Sequence, residues 1–489
     1  MTLDDLTVVL PELVLAVFGM SALIWAVFST GGRRGAALIW LTSAVFVGMA
    51  AWIAFATTGE KMAFSNSFVD DSLSRFAKVM ILLSASVVLF ISRDFLSRER
   101  LAKFEFPVLV GFAVLGMMVM VSANDLIVLY LGLELQSLSL YVLAAFHRNS
   151  VRSTEAGLKY FVLGALSSGL LLYGASLVYG FAGTTSLPGI AAAMSPEGLA
   201  AQSPAGVNKS IGLLFGMAFM IVALAFKVAA APFHMWTPDV YEGSPTPVTA
   251  LFSTAPKVAA LVLLARLLTT GFGNVVADWQ NIIAAVSVLS MFVGAITAIG
   301  QTDIKRLMAY SSIAHMGFAL MGAAAGTAQG LEAMLLYMAI YLVMNVGTFA
   351  FILSMRRRNQ PVTDIYALGM FSKQSPVQAL SLMLLLFSMA GIVPLLGFVA
   401  KLYVFLAAID GGMVWLAISG GIASVIGAFY YLRIVYVMYF GEQRTPLDNT
   451  IPRSGLITLV ASAIIVVVGV VNLFSITQWS TVAALALFQ

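Results

Sequence analysis

The sequence predicts an all-α polytopic membrane protein with about fourteen transmembrane helices. Hydrophobic residues make up 61% of the 489 residues and charged residues only 10%, whereas soluble domains carry about 25% charged residues. The apolar runs are about 20 residues long, which is enough to cross a bilayer as a helix. They lack the two-residue alternation of membrane β-barrel strands. Because lipid offers no hydrogen-bond partners to the backbone, these runs are expected to be helices.

The candidate spans follow one another along a single integral membrane domain that covers residues 1–489. Spans 1–3 lie within about 6–92, at about 6–28, 36–56 and 73–92. The next five lie at about 106–121, 125–146, 158–180, 210–232 and 247–269. A further five lie at about 280–300, 307–324, 331–354, 376–409 and 414–440, and the last lies at about 456–478. The longest connection, about 181–209, is rich in Ala, Gly, Ser and Pro and is expected to be a surface loop.

The loop charges predict the orientation. If Met1 faces outward, seventeen of the 26 Lys and Arg residues fall on the inner side and two, Lys61 and Lys209, on the outer side. The inner set includes Arg33 and Arg444. Basic residues concentrate in cytoplasmic loops. An even number of spans with both termini outside is therefore expected.

Composition also excludes several kinds of chemistry. The chain has no cysteine, so disulfides, iron–sulfur clusters, thiolate metal sites and cysteine nucleophiles are ruled out. The sequence contains no nucleotide-binding loop, metal-ligand cluster or nucleophile triad. No cofactor is expected in this chain, and its basic pI of about 9.1 reflects loop charges rather than binding to nucleic acid.

Two spans are too long to be straight helices. The segment from Ile211 to Tyr241 would reach about 46 Å and the segment 376–409 about 50 Å, against a hydrocarbon core of about 30 Å. Both contain prolines, Pro232 and Pro238 in the first and Pro394 in the second, and proline interrupts a helix. Paired interrupted helices predict inverted repeats with the site at the breaks. The expected repeats are spans 4–8, about 106–269, and spans 9–13, about 280–440.

Three lysines in these apolar spans are the first candidate site residues. A charge at mid-membrane costs about 2.5–3.5 kcal/mol on insertion scales, so a buried lysine is expected to serve a function. Lys257 is near the middle of span 8 and cannot easily reach either surface. Lys227 is central only if its helix continues past the break toward Tyr241, and Lys401 follows Pro394 by seven residues.

Acidic and imidazole groups complete the candidate set. Glu134 lies about eight residues into span 5, and we expect it to pair with Lys227 and to titrate with it as a coupled unit. His234 and His315 serve either as proton relays or as structural hydrogen-bonding groups. Glu105 and Lys159 are candidate water-exposed ends of a proton path. Two further acids, Asp239 and Glu242, either line a water entrance or hold the loop.

These residues carry a resemblance to a known family. The segments KVAAAPFHMWTPDVYEGSPTPVTALFSTAPK at 227–257, ELQSLSLYVL at 134–143 and SSIAHMG at 311–317 resemble the antiporter-like membrane subunits of respiratory complex I. The resemblance implies fourteen helices, two inverted five-helix repeats, broken helices 7 and 12, and proton translocation driven by NADH:quinone electron transfer in other subunits. It also implies an ion pair between Glu134 and Lys227, a central Lys257, a distal Lys401 and a site role for His234.

Within this family the N-type branch fits best. L-type subunits carry a long C-terminal lateral helix, whereas this chain ends soon after span 14. M-type subunits have a glutamate at the position of Lys401, and both sister types typically read ELMSL where this chain reads ELQSL. The branch implies M-type and K-type neighbours, the lipid bilayer as surroundings and a bacterial inner membrane. The alternatives are a Mrp-type cation/proton antiporter subunit, a stand-alone secondary transporter, and a structural subunit whose buried charges only fix helix register.

Overall fold

The computed structural model describes residues 3–29, 34–56, 59–201, 209–442, 445–448 and 451–488. The basic loop residues Arg33 and Arg444 lie outside this part of the chain. A helix or a pair of half-helices occupies each of the fourteen predicted positions. Within the described residues, twelve helices are long and apolar enough to cross a membrane, and two shorter apolar helices are Glu105–Val121 and Pro376–Ala390. The polytopic helical fold is thus confirmed, while the exact count of fourteen spans stays a prediction.

The span helices have the following bounds. Spans 1–6 are Leu10–Phe28, Arg34–Ala56, Ser72–Arg98, Glu105–Val121, Leu126–Ala144 and Val151–Ala182. Span 7 consists of the halves 7a, Lys209–Val228, and 7b, Thr237–Gly243; span 8 consists of 8a, Thr246–Phe252, and 8b, Ala255–Arg266. Spans 9–11 are Val276–Ile299, Ile304–Ala324 and Ala328–Ile352. Span 12 consists of 12a, Pro376–Ala390, and 12b, Leu396–Asp410; spans 13 and 14 are Val414–Phe440 and Arg453–Asn472.

Short elements connect the spans. The short α-helices are Leu3–Val8, Leu187–Ala193, Pro196–Ala201, Phe371–Gln374 and Ile476–Leu485. A π-helical turn, Leu267–Gly271, extends span 8, and 3-10 turns lie at Gly273–Val275, Ile365–Leu368 and Leu473–Ser475. Two antiparallel hairpins pair Lys61–Ala63 with Phe68–Asp70 and Arg356–Arg357 with Gln360–Pro361.

Aspartates fix where several spans begin. The Asp71 carboxylate accepts from the Ser74 amide at 2.7 Å before span 3. Asp125 and Asp303 accept backbone N–H groups in the same way before spans 5 and 10. The first turn of a helix has unpaired N–H donors, and a capping carboxylate satisfies them. These acids therefore define helix ends.

Both predicted interruptions are present, and each has a local cause. Span 7a ends at Val228, and the chain crosses residues 229–236 as turns before 7b. Span 12a ends at Ala390, and the next residue, Gly391, has a left-handed φ of 87°. A Cβ atom on Gly397 would lie 1.8 Å from the Ser388 carbonyl oxygen, so 12b docks against the end of 12a only with glycine there.

Each half of the chain contains one close crossing between two helices, as expected for two repeats. Spans 4 and 5 meet at Gly116, where a Cβ would lie 2.4 Å from the Gln136 amide. Spans 9 and 10 meet at Gly294, where a Cβ would lie 2.5 Å from the Ala314 amide. Small residues allow membrane helices to approach this closely. Each crossing belongs to a half that also contains one of the interrupted spans 7 and 12.

Three sequence expectations differ from the structure. The connection 181–209 was expected to be a surface loop, but its described part contains the helices Leu187–Ala193 and Pro196–Ala201, and Leu187 is fully buried. Span 14 ends at Asn472 rather than near 478, and the helix Ile476–Leu485 follows it. The break in span 8 before Lys257 is complete, since Thr254 lies outside both 8a and 8b. Local apolar content does not show such changes of direction.

Candidate functional site

Lys227 lies at the end of span 7a, one residue before the break. Its side chain is 6% exposed, although its helix does not continue past the break as the central placement assumed. The ammonium donates to Ser137 Oγ at 2.8 Å and to Tyr141 Oη at 3.4 Å. Neutral oxygens of span 5 therefore hold this charge.

The expected direct ion pair between Glu134 and Lys227 is not formed in this structure. Glu134 is half-buried, and its Oε1 atom has no hydrogen-bond partner. It lies between Leu131 and Leu138, which are 59% and 54% exposed, on the outward stripe of span 5. Ser137 is three residues further on, so both candidate partners of the ammonium lie on adjacent turns.

Aromatic rings connect Lys227 to the next lysine. The Tyr141 ring packs on Tyr160 at 4.8 Å between centroids, and Tyr160 stacks on Trp236 at 4.5 Å. The Lys257 ammonium lies 5.8 Å from the centre of the Trp236 ring. A continuous row of rings thus runs between the two lysines.

Lys257 is 1% exposed and is held by the break of span 7. Its ammonium donates to the Val228 carbonyl oxygen at 2.6 Å. This carbonyl ends span 7a, where the missing next turn leaves it without a helical partner. The neighbouring amide of Ala231 donates to Ser290 Oγ of span 9 at 2.8 Å. The break therefore supplies the acceptor that a deeply buried ammonium needs.

Lys401 repeats this arrangement at the break of span 12. Its ammonium donates to the Ala390 carbonyl oxygen, which ends 12a, at 2.8 Å, and to Ser424 Oγ of span 13 at 2.8 Å. It also lies 4.9 Å from the centre of the Phe318 ring. The residue is 6% exposed. None of the three lysines has a carboxylate within 4.0 Å among the described residues.

His315 lies in a hydroxyl cluster formed by spans 10, 11 and 13 of the second half. Its Nδ1 is 2.6 Å from Tyr337 Oη and its Nε2 is 3.0 Å from Tyr431 Oη. Its ring is 5.2 Å from Tyr341 and 6.5 Å from Phe318, the ring beneath Lys401. A neutral imidazole with hydroxyls at both nitrogens can donate at one and accept at the other.

His234 is placed differently from His315. It lies in the turns that follow the span 7 break, it is half-buried, and its Nδ1 has no hydrogen-bond partner. The next residue, Met235, is 61% exposed. No hydrogen bond joins the imidazole to Lys227 or Lys257, so the structure does not bring these three candidates into direct contact.

Lys159 belongs to an ionic cluster at the start of spans 6 and 10. Its ammonium pairs with Glu155 at 2.7 Å and with Asp239 at 2.8 Å. Arg306 pairs with Asp239 at 2.7 Å and with Glu242 at 2.9 Å. The two acids that follow the break thus fasten 7b to spans 6 and 10, and they also line a cavity of about 210 Å³.

Glu105 lines a second cavity on the same side. This cavity measures about 490 Å³, and Lys103, Arg148 and Tyr141 also line it. The Glu105 Oε2 atom is buried without a hydrogen-bond partner. Because Tyr141 contacts the Lys227 ammonium, the cavity reaches the first lysine of the row.

Several charged contacts were not foreseen from the sequence. Lys78 and Glu12 form a buried ion pair at 2.7 Å, with side chains 1% and 5% exposed. Arg266 at the end of 8b pairs with Asp71 at 2.8 Å. These contacts join residues far apart along the chain, and no local pattern points to them.

Hydrogen-bond partners of buried lysines were also not predicted from the sequence. Lys305 donates to the Glu242 and Ser244 carbonyl oxygens at 2.8 and 2.6 Å. The partners of Lys227 did have a signal in the sequence. Ser137 and Tyr141 are four residues apart, which places them on one helix face.

Comparison with known proteins shows which family the chain resembles. Residues 123–427 match the family model described as NADH:quinone oxidoreductase/Mrp antiporter, TM. The chain is 57% identical over 489 residues to NADH-quinone oxidoreductase subunit N of Jannaschia sp. (strain CCS1), covering 99% of each chain.

Two solved structures share the fold. A chain of respiratory complex I from Thermus thermophilus superposes with a TM-score of 0.80 at 28% identity, covering 96% of this chain and 98% of that one. A chain of the Mrp complex from Dietzia sp. DQ12-45-1b has a TM-score of 0.83 at 21% identity, covering 100% and 98%, and this second likeness shows the fold alone. The resemblance predicted from the motifs is confirmed: the chain belongs to the family of NADH-quinone oxidoreductase subunit N, the antiporter-like membrane subunits of bacterial respiratory complex I.

Proposed function

We propose that the chain moves protons across the bacterial inner membrane along Lys227, Lys257, His315 and Lys401. Electron transfer from NADH to quinone in other subunits supplies the energy, and no redox centre in this chain takes part. The observation that carries the proposal is the pair of broken helices. Each break presents a free carbonyl oxygen to a buried ammonium, at 2.6 Å for Lys257 and 2.8 Å for Lys401.

The chemistry of these contacts suits a proton carrier. An ammonium held by neutral acceptors can give up a proton without leaving a buried carboxylate unpaired. A buried carboxylate left without its partner would cost several kcal/mol, and proton release from these lysines leaves only neutral groups behind. The hydroxyl cluster around His315 supports transfer between Lys257 and Lys401, because imidazole and hydroxyl groups both accept and donate protons.

Glu134 controls whether Lys227, the first proton-carrying residue of the path, keeps or releases its proton. The Lys227 ammonium donates to Ser137, one turn from Glu134, whose Oε1 atom is buried without a hydrogen-bond partner. Movement of the ammonium onto Glu134 would hold its proton, and return to Ser137 would release it toward Trp236 and Lys257. Since Glu134 lies on the outward stripe of span 5, we propose that it faces an M-type or K-type neighbouring subunit and couples the two.

The two cavities on the predicted inner side support proton entry there. One is lined by Glu105 and reaches Tyr141; the other is lined by Lys159 and Asp239. We propose the Glu105 cavity as the proton entry to Lys227. We assign His234 a secondary role on the exposed side of the break in span 7. Both termini would then lie on the periplasmic side.

The test measures proton pumping in inverted membrane vesicles that contain the assembled complex. Lys227→Ala and Glu134→Ala are expected to lower NADH-driven acidification while the complex still assembles. Lys61→Ala, a lysine exposed in the first hairpin, is the matched control and is expected to pump normally. Normal pumping by either site variant would remove that residue from the proton path.

A further inference from the structure

A basic pocket lies outside the proton path, at the predicted inner ends of spans 2 and 3. It measures about 600 Å³ and is lined by Arg93, Arg100, Ser97 and Trp40, together with alanines. None of the acids of this region lines it: Asp94 is absent from its walls, and Glu99 pairs with Arg356 at 2.6 Å. The pocket therefore carries a net positive charge.

The arginines of this pocket are poised for an anion. Arg93 Nε is buried and has no hydrogen-bond partner among the described residues. Its guanidinium carbon lies over the Trp40 ring, 5.5 Å from the ring centre. Guanidinium groups bind phosphate oxygens in a bidentate manner, and a buried donor without an acceptor costs about 1–3 kcal/mol. A phosphate here would accept from the buried Arg93 Nε and would lie beside the positive charge of the exposed Arg100.

An apolar groove continues from this pocket along span 3. The groove measures about 390 Å³ and runs between spans 3, 11 and 14, with Met80, Leu83, Val87 and Phe90 along one wall. Phe90 contacts the Trp40 ring edge-to-face at 5.2 Å. The charged pocket and the groove therefore meet at this aromatic pair.

Span 3 contributes to both features, with the pocket one turn closer to the predicted inner end than the groove. Phe90 lines the groove and Arg93, three residues further on, lines the pocket, so the two walls adjoin on successive turns of the helix. From Phe90 to Met80 the helix rises about 15 Å. This equals the depth of one leaflet, half of the roughly 30 Å hydrocarbon core.

We propose that this surface binds one anionic phospholipid of the inner leaflet. The phosphate lies between Arg93 and Arg100, Trp40 marks the level of the headgroups, and one acyl chain fills the groove down to Met80. Basic pockets between membrane helices on the cytoplasmic side bind anionic headgroups, and tryptophan concentrates at the interface. The bound lipid would tie span 3 to spans 11 and 14, and thus the first three helices to the second repeat.

The test measures lipid binding by the assembled complex after purification in mild detergent and removal of lipid. Phosphatidylglycerol, phosphatidylcholine and inorganic phosphate are titrated separately, and native mass spectrometry counts the bound lipid. The Arg93→Gln/Arg100→Gln variant is expected to bind phosphatidylglycerol at least tenfold more weakly than the parent. Lys373→Gln, which removes an exposed positive charge elsewhere, is the matched control and is expected to bind as the parent does.

A second variant separates the groove from the charges. Ala461→Trp fills the groove from span 14 without touching either arginine. It is expected to weaken binding of long-chain phosphatidylglycerol and to leave a dihexanoyl analogue unaffected. Equal affinity for phosphatidylcholine, unchanged affinity in the arginine variant, displacement by inorganic phosphate alone, or a photo-cross-link from position 97 to a neighbouring protein would each overturn the proposal.

Discussion

Replacing Lys257 by methionine removes one buried ammonium and keeps nearly the same side-chain length. The change leaves the Val228 carbonyl oxygen without its 2.6 Å donor, which costs about 1–3 kcal/mol. It also removes a charge whose desolvation costs several kcal/mol. The two effects oppose each other, so we expect the variant to fold and to assemble.

The effect on proton transfer is larger. Without Lys257 a proton would have to cross the apolar interior between Lys227 and the His315 cluster as an unstabilised charge, at a cost of about 3 kcal/mol. Each 1.36 kcal/mol in the barrier changes a rate tenfold. We therefore expect transfer through this chain to slow by about 100-fold.

The assay follows NADH oxidation and acidification together in vesicles with matched amounts of assembled complex. The control variant removes another buried lysine together with its partner, Glu12→Gln/Lys78→Met, so that no unpaired charge remains. We expect the control to pump as the parent does and Lys257→Met to lose pumping. If Lys257→Met pumps and turns over normally, the lysine only fixes the packing of span 8.

Three further changes test other parts of the structure. Ser137→Ala should shift the Lys227 ammonium toward the carboxylate one turn away and slow pumping several-fold, measured as acidification per NADH oxidised. Burial opposes ionisation of Asp71, but the Arg266 charge and hydrogen bonds outweigh it and lower the pKa of this carboxyl below 3.8. The stability from this pair is thus present above about pH 3.8 and is lost as the pH falls through the lowered pKa. Asp71→Asn should lower the free energy of unfolding by about 3 kcal/mol at pH 7, measured by thermal unfolding. An unchanged Tm would contradict the pairing. Gly397→Ala places a Cβ against a backbone carbonyl oxygen and should destabilise the chain by about 1–3 kcal/mol. The expected result is reduced assembly of the complex. Normal assembly would show that the two halves of span 12 separate freely.

The sequence was sufficient for the features that follow from local physics. Apolar runs located the spans, and length together with Pro232 and Pro394 located the breaks in spans 7 and 12. The burial of Lys227, Lys257 and Lys401 could be predicted because a lysine within an apolar span cannot easily reach either membrane surface. Each of these inferences needs only a short stretch of chain.

Contacts between distant segments were beyond its reach. The carbonyl acceptors at Val228 and Ala390 exist only because two half-helices end there, and the lysines that use them come from other turns of the chain. The Lys78–Glu12 pair joins spans 1 and 3 without any periodic signal. The expected direct ion pair between Glu134 and Lys227 is not formed in this structure, in which the ammonium donates to Ser137, one turn from Glu134.

The central claim is that protons pass between lysines held at the broken helices. It is tested most directly by the number of protons pumped per electron when the triple variant Lys227→Met/Lys257→Met/Lys401→Met is reconstituted with its complex in liposomes. The account predicts a smaller ratio than that of the parent complex, at equal assembly. An unchanged ratio would contradict it.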